Sequence, residues 1–213
     1  MNNDLEILAC KPCPVDHNGF NAETKLPYGC TVDHIFSAMN DFIEFLGFIN
    51  QQLHTKKMPR LETILMAANF SSIVGEFTNM SIPKYCQGLV KNQYHNGYPD
   101  LLPSNLFPDN SAQHSSEGIE IKASRYESGW QGHNPEDGWF MVFMFSCNNP
   151  DDTIRGNEPK PFKFTKVVCA YLTREDWSFS GRSDTSRRTI TTSIIKSGYA
   201  KMAANWVYKT LDL

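Results

Sequence analysis

The sequence predicts a single α/β domain built on a central mixed sheet with helices packed against it, and three patterns carry that expectation. Apolar residues at helical spacing follow Thr31, strict apolar/polar alternation runs through Gly118–Ser124, and two almost uninterrupted apolar runs occupy 139–145 and 166–172. At 213 residues the chain has room for one domain with a sizeable core, and a second would be a squeeze. Its 40% hydrophobic and 20% charged content is that of an ordinary folded soluble protein.

The elements follow in order. Residues 1–30 read as irregular, punctuated by Pro12, Pro14, Gly19, Pro27 and Gly29. Thr31 suits a helix N-cap, and Ile35, Ala38, Met39, Phe42, Phe45, Leu46 and Ile49 then fall on one helical face. A second helix begins near Pro59 with Leu61, Ile64, Leu65 and Ala68, and resumes through Ile73 to Met80. Leu101-Leu102 form a short apolar segment, followed by a loop marked by Pro103, Asn105, Pro108, Asp109 and Asn110. Gly118–Ser124 reads as a half-buried strand, Trp139–Phe145 as a central strand buried on both faces, and Lys166–Leu172 as a further strand. Tyr199, Met202, Ala203 and Trp206 have the spacing of a closing helix. The chain thus divides into an N-terminal irregular segment plus helix (1–58), a core (59–175) and a basic segment with the closing helix (176–213).

Membrane insertion and secretion are not expected. No run approaches the roughly eighteen apolar residues of a membrane span. MNNDLEILACKPC also lacks a basic stretch followed by an apolar one, so a cytoplasmic protein is the expectation. The net charge of -3 conceals an asymmetry, since residues 153–213 carry eleven Lys and Arg against five Asp and Glu. That is a balance of +6, which leaves -9 on residues 1–152 and suits an acidic metal site in one half and a phosphate-facing surface in the other. Simple variation of charge along the chain accounts for it equally well.

Two carboxylates and a lysine carry the chemistry. Residues two apart on a strand share a face, so Glu120 and Lys122 emerge side by side while Ile119, Ile121 and Ala123 turn to the core. By themselves they could be a surface ion pair. A third residue, Asp100, enters the preceding short strand and reaches Glu120 if the intervening segment folds back as a long hairpin. Two carboxylates with a backbone carbonyl and waters suit Mg²⁺, with Mn²⁺ as substitute. Such a cation polarises a phosphate, lowers the pKa of water and stabilises a departing oxygen, while an ammonium orients the attacking water.

Tyr98-Pro99-Asp100 together with Gly118-Ile119-Glu120-Ile121-Lys122 resembles the bipartite PD-(D/E)xK motif of the restriction-endonuclease-like nucleases, with Asp100 and Glu120 twenty positions apart. The motif is short and gains weight from its strand context. The resemblance implies a restriction-endonuclease-like core over roughly residues 60–175, with both motif halves on adjacent strands of a central mixed sheet flanked by helices. It implies metal-dependent hydrolysis of double-stranded DNA, most simply by a type II restriction endonuclease acting as a homodimer on a short palindrome. It also implies a helix glutamate close to the metal, for which Glu76 is the candidate; a solvated helix glutamate is the alternative. Asp109 also follows a proline, but the Pro/Asn-rich run around it reads as the hairpin tip, so Asp100 ranks first.

Two segments have the donors and acceptors to hold DNA. Arg125, Gln131, His133 and Asn134 follow the catalytic strand and suit base-edge contacts, and a loop held by its own turns is the bland reading. Arg182, Arg187 and Arg188 lie among Ser and Thr hydroxyls suited to phosphates. Cys10 and Cys13 with Cys30 and His34 have zinc-ligand spacing, with His17 close by, and unpaired thiols in a coil are the alternative. Cys147 and Cys169 read as small core residues. Against the restriction reading stand a nuclease of DNA repair or mobile-element processing, and a DNA-binding protein that does not cleave.

Overall fold

Thr31 starts the first long helix, as its position before the apolar row requires. In the computed structural model, which describes residues 2–132, 134–179 and 192–211, its hydroxyl accepts from the His34 amide at 3.4 Å, and His34 Nδ1 accepts from the Thr31 amide at 3.2 Å. That closes both ends of a capping box. A short helix α1 (Asn2–Ala9) precedes it, and α2 (Val32–Thr55) buries Ile35, Ala38, Met39, Phe42 and Leu46 completely. The continuation is interrupted. Leu65 and Met66 take extended backbone angles (ψ 144° and 142°), which separates α3 (Leu61–Ile64) from α4 (Ala67–Tyr85). Met66, 70% exposed, contributes nothing to the core that would hold the helix together there.

The strands and remaining helices are β1 (Leu89–Lys91), β2 (Leu101–Pro103), β3 (Ile119–Ser124), β4 (Gln131–Gly132), β5 (Gly138–Ser146), α5 (Pro150–Ile154), β6 (Lys163–Leu172), β7 (Trp177–Phe179), β8 (Thr192–Ile194), α6 (Lys196–Ala204) and β9 (Trp206–Lys209). The main sheet runs β1-β2-β3-β5-β6-β9, antiparallel throughout except for the parallel β3–β5 pair; β4-β8-β7 form a small second sheet. This is a mixed α/β architecture with helices against a mixed central sheet.

Alternation on the central strands separates two cores. Ile119, Ile121, Met141, Phe143, Val167 and Cys169 face α2 and α4, where Phe42, Phe162 and Phe164 interlock with ring centroids 4.9–5.8 Å apart. Phe140, Val142, Met144, Val168 and Ala170 face the other way and are covered by Trp130, Trp177, Ile194 and Met202. Burial on both faces explains why 139–145 reads as an apolar run rather than an alternating one. Two expectations need correction. Trp206 lies on β9, past the end of α6, so the closing helix stops at Ala204. The N-terminal thirty residues contain α1, whose Leu5, Ile7 and Leu8 are 40%, 48% and 68% exposed and so leave no core-facing stripe to read. No helix among the described residues is long and apolar enough to cross a membrane.

A buried polar knot ties the N-terminal elements together. The Arg60 guanidinium donates to Glu6 (2.9 Å), Glu62 (2.7 Å), the Lys160 carbonyl (2.9 Å) and Asn148 (2.8 Å), while Asn50 donates to the second Glu62 oxygen at 2.9 Å. Arg60 and Glu62 are 3% and 1% exposed. Removing one member leaves an uncompensated buried charge. Glu62→Ala is therefore expected to lower unfolding stability by about 3–5 kcal/mol, read from the midpoint of a urea titration.

Candidate active site

The site begins where β2 stops pairing. Leu101 is the one β2 residue in register with β3, opposite Ile119, so the β3 ladder needs another acceptor two residues further on. Asp100 provides it: its carboxylate Oδ2 accepts from the Ile121 amide at 2.8 Å. Close approach of the two strands depends on Gly118, with φ +130° and room for a Cβ only 2.1 Å from the Leu101 carbonyl oxygen. The Tyr28 hydroxyl accepts from the Gly118 amide at 2.8 Å and donates to Glu117 at 2.9 Å, which fixes the start of β3.

Asn92 organises the approach to Asp100. It is 8% exposed and uses its whole side-chain amide. Its Nδ2 donates to the carbonyls of Pro99 (2.9 Å) and Ala112 (2.8 Å), and its Oδ1 accepts from the amides of Tyr94 (3.0 Å) and Ala112 (3.1 Å). The backbone adds Asn92 N–H to the Asp100 carbonyl at 2.9 Å. The loop from 92 to 100 is thereby held against 112, and Asp100 is set opposite Glu120.

Glu120, 7% exposed, accepts a hydrogen bond from the Lys122 ammonium on the same strand face. These three side chains open into a cleft of about 990 Å³, also lined by Glu76, Asn79, Lys91, Tyr98 and His95. Burial, and next the negative charge of Glu120, push the Asp100 carboxyl up to about 7, against the pull of Lys122. Burial works to lower the Lys122 pKa, but the charges of Glu120 and Asp100 and the Glu120 hydrogen bond outweigh it and hold the ammonium above its ordinary range. Two crowded carboxylates, one of them disfavoured as an anion, make a site with a deficit of positive charge. Oxygen donors of this kind fit a hard divalent cation.

The other expected residues are distributed as follows. Glu76 lies on α4, lines the cleft and pairs with Lys91 at 3.2 Å. Asp109 is exposed in the turn at 108–110, with φ 54°, and is not among the residues of the cleft. Arg125 gives its guanidinium to the carbonyls of Cys147 (2.6 Å) and Asn148 (3.4 Å), so it closes the 146–160 connection rather than projecting freely. Gln131 is exposed on β4. Asn134 donates to Glu136 at 3.2 Å and shares with Glu120, Tyr98, Gly132, Glu136 and Phe140 a small cavity on the far side of Glu120. His133, Arg182, Arg187 and Arg188 lie outside the described residues. Cys30 and His34 come together, but their third neighbour is Cys86, and Cys10 and Cys13 are not part of that group.

Several groups around the cleft carry no local sequence signal. Asn79, 3% exposed on α4, lines the cleft with an Oδ1 that has no hydrogen-bond partner. The His114 ring stacks on Tyr98 at 5.4 Å and its Nε2 lies 3.2 Å from Glu136. Nothing in local spacing joins positions 79, 98, 114 and 136; only the return of the chain does. No family model matches the chain, and neither a curated protein nor a solved structure does.

The raised Asp100 pKa sets a pH dependence. A carboxyl protonated in the fold up to about 7, and in the unfolded chain only to about 3.9, binds more protons folded than unfolded across that window. Its stabilising contribution is full below about 4 and is lost as pH rises through 7. In the absence of divalent cations, Asp100→Asn is expected to be more stable than the native protein at pH 8, with the gap closing towards pH 5. Thermal unfolding of both proteins in EDTA across that range checks it, and a gap independent of pH would contradict the assignment.

Proposed function

We propose that the chain is a divalent-metal-dependent endonuclease of double-stranded DNA with a restriction-endonuclease-like core, acting as a cytoplasmic type II site-specific enzyme. The observation that carries the reading is the convergence of Asp100, at the entry to β2, with Glu120 and Lys122 of the adjacent antiparallel β3 in one cleft, with Asp100 held at a pKa of about 7. That arrangement is what the resemblance of YPD and GIEIK to the PD-(D/E)xK motif implies. Asp100 and Glu120 would hold Mg²⁺, or Mn²⁺ in its place. When bound, the cation polarises the scissile phosphate and stabilises the departing oxygen.

The chain's own groups do the rest. The Lys122 ammonium, kept charged by Glu120, orients the attacking water and offsets charge building on the phosphorus oxygens. Asp100 must lose its proton to bind the cation, so cation affinity, measured below saturation, rises with pH. Glu76 adds a carboxylate to the cleft, and its partner Lys91 can turn to a phosphate. In this reading Gln131, exposed on β4, and Asn134, which shares a small cavity with Glu120, would contact the duplex. A homodimer would present two such clefts, one to each strand of a palindrome. The second reading, a nuclease of repair or mobile-element processing, uses the same cleft and differs in preferring a DNA structure to a sequence.

Plasmid DNA incubated with the protein in Mg²⁺ is expected to give discrete fragments, none in EDTA. Asp100→Ala and Lys122→Ala are expected to reduce cleavage by roughly 10²-fold or more while retaining DNA binding. Absence of cleavage of both unmodified and methylated DNA, with binding intact, would rule out the enzymatic reading. Structure-selective cutting without discrete sites would favour the repair reading.

A further inference from the structure

We propose that Cys30, His34 and Cys86 form a binding site for a soft divalent cation, zinc before others, which clamps the loop preceding α2 to the C-terminus of α4. The ligating atoms of the three side chains lie within 4.8 Å of one another. Zinc bonds of about 2.0–2.3 Å place tetrahedral ligands roughly 3.3–3.8 Å apart, so side-chain rotation of about an ångström closes the site. The donor set decides the ion. Two sulfurs and an imidazole nitrogen suit zinc and disfavour magnesium or calcium, which take oxygen.

The backbone already holds the three residues in place. Cys30 N–H donates to the Pro27 carbonyl at 3.0 Å, across a turn in which Tyr28 and Gly29 take φ of 57° and 70°. Cys86 caps α4 through its N–H to Ile82 at 3.0 Å, and Leu89 N–H returns to the Cys86 carbonyl at 3.2 Å. The two loops touch directly, since a Cβ at Gly88 would meet the Tyr28 carbonyl oxygen at 2.0 Å. Polar contacts to the thiols are weak and long: Cys30 Sγ to the Thr31 carbonyl at 3.9 Å and Cys86 Sγ to the Tyr28 carbonyl at 3.8 Å.

Charge also balances. Two thiolates, a neutral imidazole and a dication sum to zero, which suits a site where Cys30 and Cys86 are 6% and 1% exposed. Binding forms two sulfur–metal bonds and one nitrogen–metal bond and releases two thiol protons to solvent, with no change of oxidation state. His34 is half-buried, and with three protein ligands the fourth position would fall to water. Its Nδ1 now accepts from Thr31 N–H at 3.2 Å, and a neutral imidazole cannot both keep that bond and ligate through its other nitrogen. Ligation therefore exchanges one half of the α2 capping box for the metal bond. The clamp would act two residues from Tyr28, whose hydroxyl holds the start of β3. The proposal does not rest on the nuclease reading.

The test is metal content of protein purified under reducing conditions without chelator, together with cobalt substitution. About one zinc per chain is expected in the native protein and in Cys10→Ser/Cys13→Ser, and none in Cys30→Ser/Cys86→Ser. Cobalt should produce the thiolate-to-metal charge-transfer absorption in the near ultraviolet. His34→Ala, which spares both thiols, should keep that absorption with at least a tenfold weaker affinity, and it guards against misfolding of the double serine variant. Zinc should raise the melting temperature of the native protein and leave the double serine variant unmoved. Native protein with free thiols that neither carries zinc nor takes up cobalt would overturn the proposal, as would zinc retained by Cys30→Ser/Cys86→Ser.

Discussion

The Ile121 amide donates its hydrogen bond to a carboxylate instead of a backbone carbonyl, and much of the site's architecture follows from that substitution. Because β2 turns away after one paired residue, the ladder would leave a buried donor empty. Asp100 fills the gap and is thereby held, half-buried, against Glu120. The same geometry that satisfies the strand buries Asp100 and crowds it against Glu120, so Asp100 resists ionisation while Lys122 stays charged. Structural and chemical roles are fused in one side chain, so a cation in this cleft would relieve a repulsion that the fold itself imposes.

The surroundings keep that crowding from relaxing. Asn92 spends its whole amide on the loop leading to Asp100, Tyr28 pins the first residues of β3, and Gly118 permits the strands to meet. Behind the site, β3 is anchored by its six-residue parallel register with β5, itself buried between two aromatic cores. Carboxylates on such a frame cannot drift apart to lower their mutual energy, which is the meaning of preorganisation here.

The sequence made the strands and the motif legible because their information is local. GIEIKAS alternates, so its polar face could be read directly, and Thr31 announced the α2 helix by capping chemistry. What failed was information carried by distance. Trp206 has helical spacing with Met202 yet pairs across the sheet edge opposite Val168. The break at Leu65-Met66 carries no glycine or proline to signal it. Cys30 and His34 were legible as candidate ligands, but Cys86 lies fifty-six positions from Cys30 and comes beside them only when α4 packs on α2. Asn79, His114 and Glu136 enter the site by the same route.

Direct binding of Mn²⁺, followed by its electron paramagnetic resonance signal at pH 8 without DNA, tests the central claim that Asp100 and Glu120 jointly hold a divalent cation. Loss of the free Mn²⁺ signal is expected on adding the native protein, with weaker binding at pH 6 and none by Asp100→Asn/Glu120→Gln. Mn²⁺ binding that survives in the double variant, or that ignores pH between 6 and 8, would contradict it.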